Sequence, residues 1–285
     1  MIIAVFSVLF ISLLMSIPIA VSLGMASIVG LYSLSPELLV LAPQKFLTGI
    51  NSFTLLAIPM FILAGTIMGS GGIAARIVNF CLIFVGRVKG GLGFVVILAT
   101  MFFSGVCGSA SADTAAIGST TMPEMLKRKY PKPFATALLA ASGATASIIP
   151  PSIDLIIIGI VSGISIGGLF AAGILPGIFN AVALMCLCFY FSKKLDLPVT
   201  EKTSLGEKFK IFKEGILAIF MPIIILGGIL GGVFTPTEAS AVAVVYGFIV
   251  SMFVYKEMGW KELPAIFLQA AKLTGIVMLV LSMAS

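Results

Sequence analysis

The residues able to do chemistry in this chain are few and concentrated. Residues 102–125 read FFSGVCGSASADTAAIGSTTMPEM, with four serines, three threonines, three glycines and one aspartate. A stretch this polar makes a poor lipid-facing helix. Backbone that departs from a plain helix at membrane depth is tolerated only where protein buries it or where it lines a wet cavity. A tip within Ser109–Thr114 would offer free amides to an anionic ligand, and carbonyls and hydroxyls to a hard cation such as Na⁺. Asp113 sits at that tip and reads two ways, as the N-cap acceptor of a returning helix or as a ligand. A proton relay is poorly supplied, because the chain has no histidine and no intramembrane Lys or Arg lies near Asp113 in sequence.

A second interruption follows. Ser142-Gly143-Ala144-Thr145-Ala146-Ser147 forms a small-residue face suited to close helix packing, and Ile149-Pro150-Pro151-Ser152 comes directly after it. Two successive prolines remove two backbone donors and push the preceding residues out of the α region. A helix therefore breaks at Pro150, Pro151 and Ser152, and Asp154 reads two ways, as a cap of its second half or as a group facing the site. Two discontinuous elements joined by one basic loop form the pattern of an ion and substrate site at mid-membrane.

Other chemistries lack their residues. Without histidine there is neither a Ser-His triad nor a histidine-ligated zinc site, and Ser111-Ala112-Asp113 is not the Gly-x-Gly-Asp of an intramembrane aspartyl protease. The chain does not read as an enzyme. Cys81, Cys107, Cys186 and Cys188 show no CxxC spacing and read as small packing residues. Glu238 follows Thr235-Pro236-Thr237, a capping box with proline at the first helical position, and is assigned a structural role.

The elements that must position these residues are membrane helices. Of 285 residues, 60% are hydrophobic and 10% charged, more apolar surface than one soluble core can hide. At about 1.5 Å rise per residue and about 30 Å of hydrocarbon, there is room for roughly eight passes. The formal charge of +6 does not point to nucleic acid, because the basic residues fall in short connections rather than on one face. These connections hold Arg76, Arg87 and Lys89; Lys127, Arg128, Lys129 and Lys132; and Lys193, Lys194, Lys202, Lys208, Lys210 and Lys213. The positive-inside rule places all three in the cytoplasm. The apolar start at Ile2 lacks a basic n-region and a cleavage site, and reads as a retained helix.

The expected organisation has four parts. Residues 1–90 hold scaffold helices and an interfacial arm: an apolar stretch at 2–33 that is either one helix kinked at Pro18 or two short passes, a crossing over 46–70, and a helix at the membrane surface over 73–90. Residues 91–192 hold a re-entrant hairpin (about 102–125), a broken helix (about 134–170) and a pass at 173–192. Residues 193–214 form a cytoplasmic linker. Residues 215–285 hold passes at 215–232 and 236–255 and the start of a last helix. Pro18 with Ser22, and Pro236 with Ser240, echo one another, which places the start of a second, inverted repeat near 215. The alternative, a membrane scaffold with no ligand, would have plain helices where this chain has breaks.

The segments NSFTLLAIPMFILAGTIMGSGGIAARIV (51–78), FFSGVCGSASADTAAIGSTTMPEM (102–125), SGATASIIPPSIDLIIIG (142–159) and GGVFTPTEASAVAVVYG (231–247) closely resemble the large membrane subunit of tripartite ATP-independent periplasmic (TRAP) transporters, DctM type. The resemblance runs along essentially the whole chain. It implies an all-α polytopic protein of the bacterial inner membrane with an ion-transporter-like elevator fold of inverted repeats, the second incomplete here. It also implies sodium-driven import of organic acids (C4-dicarboxylate, keto acid or sugar-acid class), with Na⁺ as coupling ion and no other cofactor. The implied partners are a small four-helix membrane subunit and a periplasmic solute-binding protein. The first hairpin of the family matches Ser104–Thr121 and its unwound helix Thr145–Ser152. Sodium ligands are expected among Ser104, Gly105, Ser109 and the backbone at Ile149 and Pro150, with substrate nearer Ser111, Asp113 and Thr114. Asp154 departs from the apolar residue or proline expected after Pro-Pro-Ser. Family members continue for well over a hundred further residues, so transport by these 285 residues alone is not expected.

Overall fold

A computed structural model describes residues 1–199 and 205–284. Its regular elements are helical throughout the described residues, and five are long and apolar enough to cross a membrane: Phe53–Ser70, Ile166–Lys194, Gly206–Leu230, Pro236–Val254 and Leu263–Ala284.

The chain opens with α1 (Ile2–Leu14) and α2 (Ile19–Leu34), two helices rather than one kinked one. Pro18 cannot continue α1, and Ser16 takes a left-handed φ of 60° to turn the chain. Val5 near the start of α1 meets Gly30 near the end of α2, so the pair is antiparallel. The expected 46–70 crossing is interrupted: α3 (Leu41–Thr48) ends at Gly49, and the span itself is a 3₁₀ turn, Phe53–Leu56, running into α4 (Ala57–Ser70).

The next helix, α5 (Ile73–Val85), buries Ile73, Ala74, Ile77, Val78 and Cys81 against α6 and α11. α6 (Gly91–Cys107) and α7 (Ala110–Lys127) form a helical hairpin whose first arm starts well before the expected 102, and α8 (Lys132–Ala144) and α9 (Ile153–Ser162) flank the interruption at the two prolines. α9 ends at Gly163 (φ 67°), earlier than the expected 170, and α10 (Ile166–Lys194) starts correspondingly sooner. α11 (Leu205–Leu230) begins ten residues before the expected 215. α12 (Pro236–Ile249) starts at the expected capping box: Glu238 N–H donates to Thr235 Oγ1 at 3.3 Å, and Thr235 N–H to Glu238 Oε2 at 2.8 Å. A π-helical turn, Val250–Val254, ends α12, and α13 (Leu263–Ala284) closes the described chain.

α2 packs on α13, α12 packs on α4, and α4 packs on α13. Exchanging α2 with α12 and α4 with α13 leaves this set of contacts unchanged.

Two of the basic connections are pinned to each other. Lys89 pairs with Asp196, and Gly90 N–H donates to Pro198 C=O at 3.3 Å. Hydrogen bonding to Lys89, then its charge, holds the Asp196 carboxyl below its ordinary value. Arg76 instead reaches the connection after α12: its Nη1 lies 2.7 Å from Glu257, and its guanidinium sits 3.8 Å over the Tyr255 ring. Lys202 lies outside the described residues.

Three of the four cysteines are buried as expected of packing residues, and two lie directly against glycines: Cys107 against Gly65 and Cys188 against Gly93. Cys186 is exposed, because its position on α10 faces away from the other helices.

Small residues also hold the broken helix in place. A Cβ on Gly173 of α10 would lie 2.5 Å from the carbonyl oxygen of Ile148, and one on Gly177 would lie 2.8 Å from the side chain of Ile149. Backbone cannot yield as a flexible side chain can, so Gly173→Ala should lower stability by about 1–3 kcal/mol. Gly227→Ala, where nothing lies within 4 Å, should be neutral or stabilising. Thermal unfolding of the two variants in detergent compares them directly.

Candidate functional site at the hairpin tip

The two interruptions meet. α6 ends at Cys107, Gly108 turns the chain with a left-handed φ of 62°, and extended Ser109 leads into α7. The carbonyl of Gly108 accepts a hydrogen bond at 3.2 Å from the N–H of Ile153, the first residue of α9. A Cβ on Gly108 would stand 2.3 Å from the carbonyl oxygen of Pro151. Glycine is thus required twice here, for its φ and for the close approach.

On the other side of this junction, α8 gives way to a 3₁₀ turn, Thr145–Ser147, and the Pro150-Pro151 peptide is cis. Ser152 stands at the N-cap of α9, but its Oγ donates back to Ser147 C=O at 2.9 Å instead of capping. Among the described residues the carbonyls of Ile149, Pro150 and Pro151 accept no hydrogen bond. Those of Pro150 and Pro151 face Gly105 and Gly108. The amides of Ala110, Ser111 and Ala112 are likewise without an acceptor, since the first helical bond of α7 runs from Asp113 N–H to Ser109 C=O. Unpaired donors and unpaired acceptors therefore stand at one junction.

A cavity of about 610 Å³ opens beside it. Its walls are the tip (Cys107–Ala112), Thr66 and Ser70 of α4, Ile153, Asp154 and Ile157 of α9, and Gln269, Leu273 and Ile276 of α13.

The residues singled out in the sequence divide among three places. Ser109 and Ser111 line the cavity, their hydroxyls 3.4 Å apart. Of the two readings of Asp113, the N-cap one fails: Ser109 occupies the N-cap, and Asp113 lies four residues later, fully buried. Among the described residues neither of its carboxylate oxygens has a hydrogen-bond partner. Ser104 and Cys107 of α6 are its polar neighbours, but the Ser104 hydroxyl donates to Thr100 C=O at 2.7 Å. Thr114 points to α8, where Gly143 makes room for its Oγ1, and donates to Ala110 C=O at 2.6 Å. The expected substrate trio is thus split, because residues 111, 113 and 114 lie on different faces of a 3.6-residue helix.

Gly105 is buried against Pro222 and the Pro150 carbonyl, which brings α11 to the same junction. Ile149, Pro150, Pro151 and Ser152 are all buried. Asp154 does not cap α9. It is exposed in the first turn and faces the cavity.

Three positions escaped the sequence reading. Asn180 Nδ2 of α10 donates to Thr145 Oγ1 at 3.0 Å and anchors the broken helix to its neighbour. A lone amide within an apolar span was the available signal. Thr66 and Gln269 line the cavity, but nothing local in sequence marks them.

The sequence matches the family described as tripartite ATP-independent periplasmic transporter, DctM component, over residues 6–285. The chain belongs to this DctM family. It is 41% identical over 282 residues to a putative TRAP transporter large permease protein of Haemophilus influenzae, covering 98% of this chain and 66% of the relative. Identity is 44% over 241 residues (85% and 57%) to the 2,3-diketo-L-gulonate TRAP transporter large permease protein YiaN of Escherichia coli. It is 34% over 292 residues (98% and 66%) to the C4-dicarboxylate TRAP transporter large permease protein DctM of Rhodobacter capsulatus. The chain therefore spans between 57% and 66% of the length of these relatives. The family is one of transporter permeases, not enzymes, and its membership together with the long apolar helices makes this DctM-family chain a multi-pass protein of the bacterial inner membrane.

Gly108→Ala places a methyl against the Pro151 carbonyl and forces an unfavourable φ, so it should part the tip from α9. The expected result is a thermal midpoint lowered by an amount equivalent to about 1–3 kcal/mol. Hydrogen exchange should quicken at Ile153 while the helical content of α6 is retained.

Proposed function

We propose that this chain is part of the large subunit of a sodium-coupled organic-acid importer of the elevator type, working with a small four-helix membrane subunit and a periplasmic solute-binding protein. The observation that carries the reading is the junction of the hairpin tip with the Pro150-Pro151 break. It gathers unpaired amides at Ala110–Ala112, unpaired carbonyls at Ile149–Pro151 and a cavity in one place. A helix start with free amides suits a carboxylate. Carbonyls, hydroxyls and a buried carboxylate suit Na⁺, a hard cation.

The chemistry separates the two ligands. The organic acid sits in the cavity against Ser109, Ser111 and the α7 amides. The Na⁺ ligands come from Ser104, Gly105, Ile149 and Pro150 at the junction, and Asp113, assigned to substrate from sequence, joins this side. A fully buried carboxylate without a partner is costly, and a cation beside Ser104 would balance it. Relatives named for 2,3-diketo-L-gulonate, C4-dicarboxylate and sialic acid support the organic-acid class. The exchangeable contacts of α2 and α4 with α12 and α13 support paired inverted repeats.

The test is uptake by proteoliposomes carrying the complete permease complex. A labelled organic acid should accumulate under an inward Na⁺ gradient and fail to do so under an equal K⁺ gradient. Asp113→Asn should reduce sodium-driven uptake by at least roughly tenfold, about 1.4 kcal/mol. The same variant should raise stability in sodium-free buffer, because it removes an unpaired buried charge whose cost is about 1–3 kcal/mol or more. Equal uptake with K⁺ sinks the sodium coupling.

A further inference from the structure

Two helices open onto the tip cavity by their N-termini. α7 presents the amides of Ala110, Ser111 and Ala112, and α9 presents that of Asp154, since Ile153 N–H is already bonded to Gly108. Each helix start carries a partial positive charge able to hold one carboxylate. A dicarboxylate would have been matched by leaving both open.

The chain closes one of them itself. Asp154 lies in the first turn of α9, exposed and facing the cavity, with no hydrogen bond or ion pair among the described residues. No Lys or Arg is among the described residues that line the cavity. The α9 terminus is thus neutralised by the chain's own carboxylate, while α7 remains available. Asp113, in the first turn of α7, does not fill the same role, because it is buried on the α6 side and is matched by Na⁺ in the reading above. Gln269 of α13 lines the cavity too, its amide unbonded among the described residues.

We infer that Asp154 and Gln269 set the substrate class: this cavity takes a monocarboxylate bearing hydroxyl groups, of the sugar-acid kind, and rejects a second carboxylate. The inference rests on the tip cavity being the organic-acid site. The single carboxylate goes to the α7 amides, and the hydroxyls donate to Asp154 and exchange hydrogen bonds with Gln269. A second carboxylate at the α9 end would meet a like charge with no Lys or Arg among the described cavity residues to offset it, a penalty worth at least roughly tenfold in affinity.

Calorimetric titration of the complete permease complex in nanodiscs, in sodium buffer, tests this with D-gluconate and succinate as probes. Gluconate should bind at least roughly tenfold more tightly than succinate. Asp154→Asn, nearly isosteric, should bring the two affinities together by strengthening succinate. Gln269→Ala, on an exposed face of α13, should weaken gluconate and leave succinate unchanged, and serves if the first variant fails to fold. Succinate binding as tightly as gluconate, or a ratio that neither variant alters, overturns the inference and leaves the organic-acid site standing. Binding of neither acid overturns that site and the inference with it.

Discussion

One backbone hydrogen bond, from Ile153 N–H to Gly108 C=O at 3.2 Å, joins the two places where helices stop inside this protein. Backbone polar groups away from water must find partners within the chain, and a turn and a break each leave several unpaired. Bringing them together satisfies a few and concentrates the remainder. The glycines follow from this constraint: Gly108 because Pro151 lies against it, Gly105 because the Pro222 ring does, and Gly173 because the Ile148 carbonyl points at it. Each sits where a neighbouring backbone or ring approaches too closely for any side chain.

The partners left unmade define the chemistry. Donors cluster at the start of α7, and acceptors at Ile149–Pro151 and on Asp113. Donors suit an anion and acceptors suit a cation, so an anion and a cation can bind side by side without sharing a group. Such an arrangement couples the two by proximity, because each neutralises the charge the other brings into a low-dielectric site. The rest of the molecule supports the junction from outside: Asn180 ties Thr145 to α10, and α4 and α13 supply the cavity's far walls.

Several expectations failed where local pattern and tertiary geometry diverge. Asp113 and Asp154 each fit an N-cap by residue type, but Ser109, four residues before Asp113, and Ser152, two before Asp154, hold those positions, because the chain leaves the turn and the break that much earlier than side-chain chemistry suggested. The trio of Ser111, Asp113 and Thr114 is contiguous in sequence, and a helix turns its members to the cavity, to α6 and to α8. Residues 46–70 read as one apolar run, and the break at Gly49–Ser52 is hidden because polar residues there are too few to interrupt the hydropathy.

Sequence by itself determined the class of this protein and the position of the turn and the break that meet at its candidate site. Hydropathy, Pro150-Pro151 and the Gly/Ser run at 102–125 are local signals, and backbone sterics and the cost of burying polar groups act on them wherever the chain goes. Family membership was legible for the same reason, since its motifs are contiguous. Only the tertiary structure decided which faces meet. That Gly108 lies against Pro151, that Asp113 is buried without a partner while Asp154 faces the cavity, and that Gln269 joins them from 115 residues after Asp154 all depend on helix rotation and packing. These are set by complementarity between distant surfaces, which no window of sequence contains.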